Sequence, residues 1–440
     1  MRNYFSRFQK IAKELFQVGF GQAMATLGGL LGVRLLTHVM TPSSYGELAL
    51  GITFLTLIQQ FIMGPITNSF SRYFSVALEK GDVKVYIKTV WLLLLKSSGI
   101  TMGIFIFVLI GFIITGKWLW VGLLFLSFLF ALVSSYNIAL DNIQNAARQR
   151  VVVAWHQGLS QWLRFLLAAG IIILFGSTSS HAMLGYFLSA VIVIISQWYF
   201  FQKNPIYQNR IGESEQEGIG SDAWERQMIE FALPFSVWGL FTWAQMSSDR
   251  WALQTFQSTA MVGLYSVLYQ LGYYPITILT GVFVQFISPI LYRRVGDALE
   301  IGRVRSTQQF TNQLTLASLG LTGLMTLFVW ILREIIFTIL VAPEYRGVSY
   351  LLPWMALSGG LFAAGQISAL TALNNNQPYM LLKPKIITSV LGATLSFLGA
   401  YLYGLEGVVG AGVLFALIYF VWVYWLFHPQ AISEKMGHNL

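Results

Sequence analysis

Residues 77–84 read Ala-Leu-Glu-Lys-Gly-Asp-Val-Lys, and residues 298–305 read Ala-Leu-Glu-Ile-Gly-Arg-Val-Arg. The copies are offset by 221 residues, and Arg72 ahead of the first falls on Arg293 ahead of the second. Upstream, Arg34 precedes Tyr45-Gly46 much as Arg250 precedes Val262-Gly263. Six long apolar segments separate the two copies. Six is an even number, so both halves enter a bilayer from the same side. That is the parallel kind of transporter repeat, with its axis along the membrane normal.

The apolar segments decide the fold class. A spanning helix takes about 20 mostly apolar residues. Twelve stretches qualify: 14–38, 46–72, 89–115, 119–146, 151–176, 181–201, 228–248, 260–290, 306–331, 346–373, 384–403 and 407–427. Apolar residues make up 56% of the 440 and charged residues only 10%, against about 25% charge in soluble domains. The expected fold is therefore an all-α integral membrane protein with twelve transmembrane helices in two parallel-repeat six-helix lobes. The lobes are 1–201 and 228–440. The polar stretch 202–227, with Glu213, Glu215, Glu217, Gly218 and Gly220, reads as a cytoplasmic linker. Residues 1–13 are basic and amphipathic and run straight into the first span, which reads as a retained signal anchor.

Charge sets the topology. With the N-terminus inside, nineteen of the 27 Lys and Arg fall in cytoplasmic segments and four (Lys117, Arg250, Arg333, Arg346) outside. The +9 net charge is then a topology signal and needs no nucleic-acid partner. With no cysteine, disulfides, thiolate metal sites and cysteine nucleophiles are excluded. Five scattered histidines show no metal-ligand spacing. There is no P-loop, no Gly-x-Ser-x-Gly and no His-Glu-x-x-His, so neither a catalytic residue nor a metal or cofactor site is expected.

Four cations remain in or near the membrane: Arg34, Arg72, Lys96 and Arg164. Each costs at least ~2.5 kcal/mol at a helix centre, so such residues face a bundle interior or a wet cavity. Arg164, mid-helix, reads as a cavity residue. Lys96 is near enough to an end to snorkel, Arg34 lies one turn from an outer end, and Arg72 reads as an interfacial anchor. Carboxylates are scarce. Asp141 and Asp249 lie near helix ends and read as salt-bridge or coupling groups, Asp141 with His156 or Arg148 as partner. Gly64-Pro65 and Ser288-Pro289 interrupt helices of the two halves and are candidate hinges, because proline removes a backbone hydrogen bond. Polar residues within the spans, Gln245 and Gln270 among them, read first as helix packing.

The segments Gly32-Val33-Arg34-Leu35-Leu36 and Met40-Thr41-Pro42-Ser43-Ser44-Tyr45-Gly46 resemble the helix 1–2 signature of polysaccharide-type flippases of the multidrug/oligosaccharidyl-lipid/polysaccharide exporter superfamily. Asp249-Arg250-Trp251 with Val262-Gly263-Leu264-Tyr265-Ser266 resembles their helix 7–8 signature, and Glu344-Tyr345-Arg346, Leu351-Leu352-Pro353-Trp354 and 403–411 resemble their C-terminal half. The resemblance implies lobes around a central cavity open to one side at a time. It implies, as substrate, an oligosaccharide on an isoprenoid pyrophosphate, with polysaccharide polymerase and chain-length proteins as further partners beside the lipid bilayer. It adds Arg250 to the substrate-binding cations Arg34, Lys96 and Arg164. It leaves a proton or sodium gradient open as the energy source. A multidrug or small-metabolite exporter is the runner-up, lowered by Arg34 standing where the drug branch tends to carry an acid in helix 1. A membrane-embedded glycan polymerase or acyltransferase is the third reading. Both termini and the linker are expected on the cytoplasmic side of the cytoplasmic (inner) membrane. A cysteine placed at Ser214 in this cysteine-free chain should react only with reagents reaching the cytoplasmic face; labelling from outside would invert the topology.

Overall fold

The structure, a computed structural model, describes residues 2–203, 220–295, 300–374 and 378–427. Most of the linker, residues 204–219, lies outside them. Two compact units form, Met1–Trp243 and Ala244–Leu440.

The first unit holds α1 (Arg2–Val39), α2 (Pro42–Lys80), α3 (Val83–Ile114), α4 (Leu119–Ala146), α5 (Arg150–Phe175) and α6 (Ser179–Gln202). Next comes α7 (Ser221–Phe256), inside which the units divide. The second unit continues with α8 (Thr259–Val295), α9 (Ile301–Leu340) and α10 (Pro343–Asn374). The last helical stretch, Leu382–Leu426, is broken at Gly404, where φ is 61° and ψ −130°. It supplies α11 (382–403) and α12 (405–426). Among the described residues the expected twelve long helices are thus present, six up to residue 203 and six after it. Nine stretches are long and apolar enough to cross a membrane on those grounds alone. Among the described residues α1 and α7 are not in that set, and α11 and α12 count there as one.

The start signals are local. Thr41 caps α2 by accepting from the Ser44 N–H at 3.3 Å, with Pro42 in the first turn. Ser258 caps α8 in the same way through the Met261 N–H. Side-chain caps of this kind satisfy N–H groups that a helix leaves bare. Both α2 and α8 contain one widened π-turn, Gln59–Met63 and Tyr269–Tyr273. Gly64-Pro65 follows the first and Tyr274-Pro275 the second. The counterpart of Pro65 is therefore Pro275. Pro289 lies further along α8, within a helix that continues to Val295.

The repeated motif sits at the same junction in both halves but does not fold identically. Gly81 ends α2 with a left-handed φ of 75°. Gly302 lies in the first turn of α9, which begins at Ile301.

Large apolar side chains point outward along the spans, among them Leu95, Phe107 and Ile114 of α3 and Leu324 and Ile331 of α9. Exposed faces of this size belong in hydrocarbon. Inside the first unit a core joins Phe70, Phe74, Tyr86, Leu140 and Ile143 to Trp224 and Met228 of α7. Trp224 is fully buried and edges onto Tyr73 and Tyr86. Gly239 meets α2 so closely that an added Cβ would lie 1.7 Å from the Gln60 carbonyl oxygen, and Trp243 Nε1 donates to the Thr53 carbonyl at 2.8 Å. These contacts hold the front of α7 in the first unit. They explain why the compact units divide well past residue 228.

Beside the break at Gly404, α11 and α12 cross at glycine: a Cβ on Gly407 would sit 2.1 Å from the Gly399 carbonyl oxygen. The backbone at Gly404 suits glycine alone. Gly404→Ala should lower stability by about 1–3 kcal/mol, seen as an earlier thermal unfolding of the detergent-solubilised protein; an unchanged transition would show that the break is not held in this conformation.

Candidate functional site

In the second unit α7, α8, α10, α11 and α12 surround a narrow, open recess of about 30 Å³. Gln245, Met246 and Asp249 line it from α7, Tyr265, Tyr269 and Tyr273 from α8, Ser358 from α10, Ser396 from α11 and Phe415 from α12. The spacing of the three tyrosines puts them on one face of a helix. The π-turn carries the last two, whose rings stack at 4.9 Å and 20°. π-turns are rare and cluster at functional positions. Small residues let the walls close. A Cβ on Gly272 would lie 2.7 Å from Met355 Cβ, and one on Gly392 2.7 Å from the Phe415 ring.

The charge of the recess is settled by neighbours in sequence. Asp249 is buried, and its Oδ1 accepts from the Arg250 backbone N–H at 2.7 Å and faces Arg250 Nη1 at 3.3 Å. The Tyr265 hydroxyl also bonds it. Arg250 donates to the Met246 carbonyl at 2.9 Å and lies over the Tyr269 ring at 4.7 Å and the Tyr265 ring at 5.7 Å. A guanidinium on a ring face gains cation–π attraction, strongest where water is excluded. The side chains of the pair are only 14% and 10% exposed. The arrangement is an electrically balanced, half-polar, aromatic-walled recess.

The other sequence-selected residues are dispersed. Arg34 is exposed near the end of α1, where its carbonyl accepts from Thr37 and His38. Lys96 Nζ binds both oxygens of Glu225 on α7, at 2.6 and 2.8 Å, within the first unit. Arg164, half-buried on α5, lies over the rings of Phe130 at 5.5 Å and Tyr186 at 5.4 Å. Its Nε is buried and has no hydrogen-bond partner among the described residues. Asp141 bonds neither His156 nor Arg148. The Gln157 and Gln197 amides donate to its two oxygens, and His156 turns instead to Ser196 and the Val152 carbonyl. Asp249 does form a salt bridge, with Arg250. Gly64 and Pro65 follow the π-turn of α2, as described above. Sequence reasoning missed the recess rings. The signal was the Tyr265, Tyr269, Tyr273 spacing, hidden in a chain with 20 tyrosines.

Compared with solved structures, the chain is similar to a multidrug resistance MATE family transporter of the MOP superfamily in an inward-facing conformation, with a TM-score of 0.69 and 14% identity over 94% of this chain and 96% of that one. It is similar to a mutant of the Vibrio cholerae MATE transporter VcmN, with a TM-score of 0.64 and 14% identity over 97% and 98%. A eukaryotic MATE transporter follows at 0.61 and 12% over 98% and 99%. Compared by sequence with curated proteins, the chain finds no match. The molecule is a multi-pass membrane protein with the fold of MATE transporters. The family model described as polysaccharide biosynthesis protein matches residues 11–294. The chain belongs to that family.

Asp249→Asn leaves Arg250 without its counter-charge and should cost about 3 kcal/mol or more of stability, as broken buried pairs do. Replacing both, with Arg250→Gln added, should recover much of that loss. Equal destabilisation by the single and double variants in a thermal unfolding cycle would show the pair is not coupled.

Proposed function

We propose that the protein is a flippase that moves an isoprenoid-pyrophosphate-linked oligosaccharide across the cytoplasmic (inner) membrane by alternating access, for synthesis of a surface polysaccharide such as O-antigen. On this reading it catalyses no covalent step, has both termini cytoplasmic, works as the lobes 1–201 and 228–440, and hands its cargo to polymerase and chain-length proteins. The observation that carries the reading is the balanced, ring-walled recess. Stacked tyrosines offer flat apolar faces with polar tips, and Gln245, Ser358 and Ser396 add amide and hydroxyl groups. Sugars need that combination: apolar C–H faces for rings, and hydroxyls for convergent polar groups.

Membership in the polysaccharide biosynthesis family supports the same substrate class. Within the recess, the carboxylate that could serve an exporter of cationic drugs, Asp249, is matched by Arg250. Arg164 on α5, over the Phe130 and Tyr186 rings, supplies a planar guanidinium of the kind that suits a phosphate.

Two substitutions test this in a surface-glycan complementation assay. Tyr269→Ala should cut export about threefold to tenfold, in line with roughly 0.5–1.5 kcal/mol for a ring contact. Arg164→Lys should retain much of the export that Arg164→Gln loses. Normal export by well-expressed Tyr269→Ala and Arg164→Gln proteins, with drug resistance altered instead, would favour a drug or metabolite exporter.

A further inference from the structure

Asp141 sits where α4, α5 and α6 meet, and among the described residues the side chains that bond it are amides. Gln157 Nε2 of α5 donates to Oδ2 at 3.0 Å, and Gln197 Nε2 of α6 donates to Oδ1 at 2.5 Å. The same Gln197 Nε2 also reaches Gln144 Oε1, on the next turn of α4, at 3.1 Å. Gln144 and Gln197 are fully buried. Gln197 Oε1 and Gln144 Nε2 are buried without a partner among the described residues.

The ionisable neighbours are engaged elsewhere. His156 of α5 bonds Ser196 and the Val152 carbonyl. On α4 itself, Tyr136 bonds Ser98. Tyr86 of α3 donates to the Phe70 carbonyl, and Glu225 of α7 binds Lys96. On α6, Tyr186 faces Arg164, and Tyr199 takes Lys203. On α2, the Tyr73 ring packs on Trp224, and among the described residues no ion pair includes Arg72. Arg148, in the following loop, and Arg150, the first residue of α5, are exposed. Among the described residues no ion pair includes Asp141.

A carboxyl group in such a place is sensitive to its own proton. Burial penalises the charged form, and amide N–H bonds favour it. A glutamine amide can also turn over and offer its oxygen in place of its nitrogen. We propose that Asp141, with Gln157, Gln197 and Gln144, is a proton-binding site within the membrane, and that paired amide turns register its state across α4 and α6.

In the ionised state the bonds are those described above. In the neutral state one O–H bond forms on Oδ1 with a proton taken from water. Gln197 turns, and its Oε1 accepts that O–H. Gln144 turns, and its Nε2 donates to the same Oε1. Both contacts persist with donors and acceptors exchanged, so the switch needs no displacement of helices. The exchange trades one unpartnered pair, Gln197 Oε1 and Gln144 Nε2, for the other, Gln197 Nε2 and Gln144 Oε1, so neither state leaves more buried amide atoms without a partner among the described residues.

The proposal does not depend on what is transported, and neither does its test. Infrared difference spectra of the reconstituted protein, labelled with carboxyl-13C aspartate, would be recorded between about pH 5 and 9, the span in which a buried carboxyl group in a mixed environment titrates. A protonated-carboxyl band carrying the isotope shift should rise on acidification. It should be missing in Asp141→Asn, and should lose the isotope shift in Asp141→Glu, which keeps a titratable group where the amide variant fails to fold. Gln197→Met, similar in volume but unable to bond, should move the band. A wild-type spectrum with no titrating aspartic band, or a band unchanged in Asp141→Glu and Gln197→Met, would overturn the assignment.

Discussion

Inside hydrocarbon, each backbone N–H and C=O must find its partner within the protein, since no water is there to take it. That constraint fixes helices as the unit of construction here, and it also dictates how they may be interrupted. In α2 and α8 the irregularity is a single π-turn, closed by bonds from the Gly64 N–H to the Gln59 carbonyl and from the Tyr274 N–H to the Tyr269 carbonyl. Proline lacks the N–H that an ordinary turn would need. Placing Pro65 and Pro275 directly after a widened turn lets the ladder shift by one residue rather than break. At Gly404 the chain does leave the helix, with a backbone conformation that glycine adopts without strain.

The same constraint governs side chains. Charges in the spans are answered locally, by different means at each place. Lys96 meets a carboxylate contributed from α7, Asp249 meets the residue next to it, and Asp141 is held by amides. The duplicated halves do not share these solutions. Where Asp249 precedes Arg250, Val33 precedes Arg34, and Val33 is wholly buried. Arg34 is exposed, whereas Arg250 lies on two tyrosine rings. Duplication supplied the helix order twice, but the paired charge with its rings belongs to the second copy.

The helices were legible in the sequence because the signals are local: apolar runs of spanning length and the Leu-Glu-x-Gly junction between them. Helix ends were less so. α9 extends from Ile301 to Leu340, beyond the apolar core of 306–331, since helical bonding continues where hydropathy stops. Partners distant in sequence were not legible at all. Nothing near Lys96 names Glu225, and nothing in α7 announces that Trp224, Gly239 and Trp243 will pack on the first unit. Asp249 and Arg250 escaped a pairing rule built on helical faces, because adjacent residues ordinarily point apart. Here the carboxylate folds back onto its neighbour's N–H.

The two π-turns have unlike surroundings, and the difference bears on what a bend at each would do. In the first unit the widened turn presents the Gln60 carbonyl to Gly239, so bending α2 there pushes against the backbone of α7. In the second unit the turn contains Tyr269 and Tyr273 themselves, with Gly272 against Met355 and Gly359 against Tyr273. A change of pitch in that turn rotates both rings, and with them the surface on which Arg250 rests. Pro289 lies beyond the turn, on a stretch of α8 from which, among the described residues, no side chain lines the recess. A hinge at Pro289 would move that stretch as a rod. A hinge at the turn before Pro275 would reshape the recess directly, through side chains that already touch its charge pair.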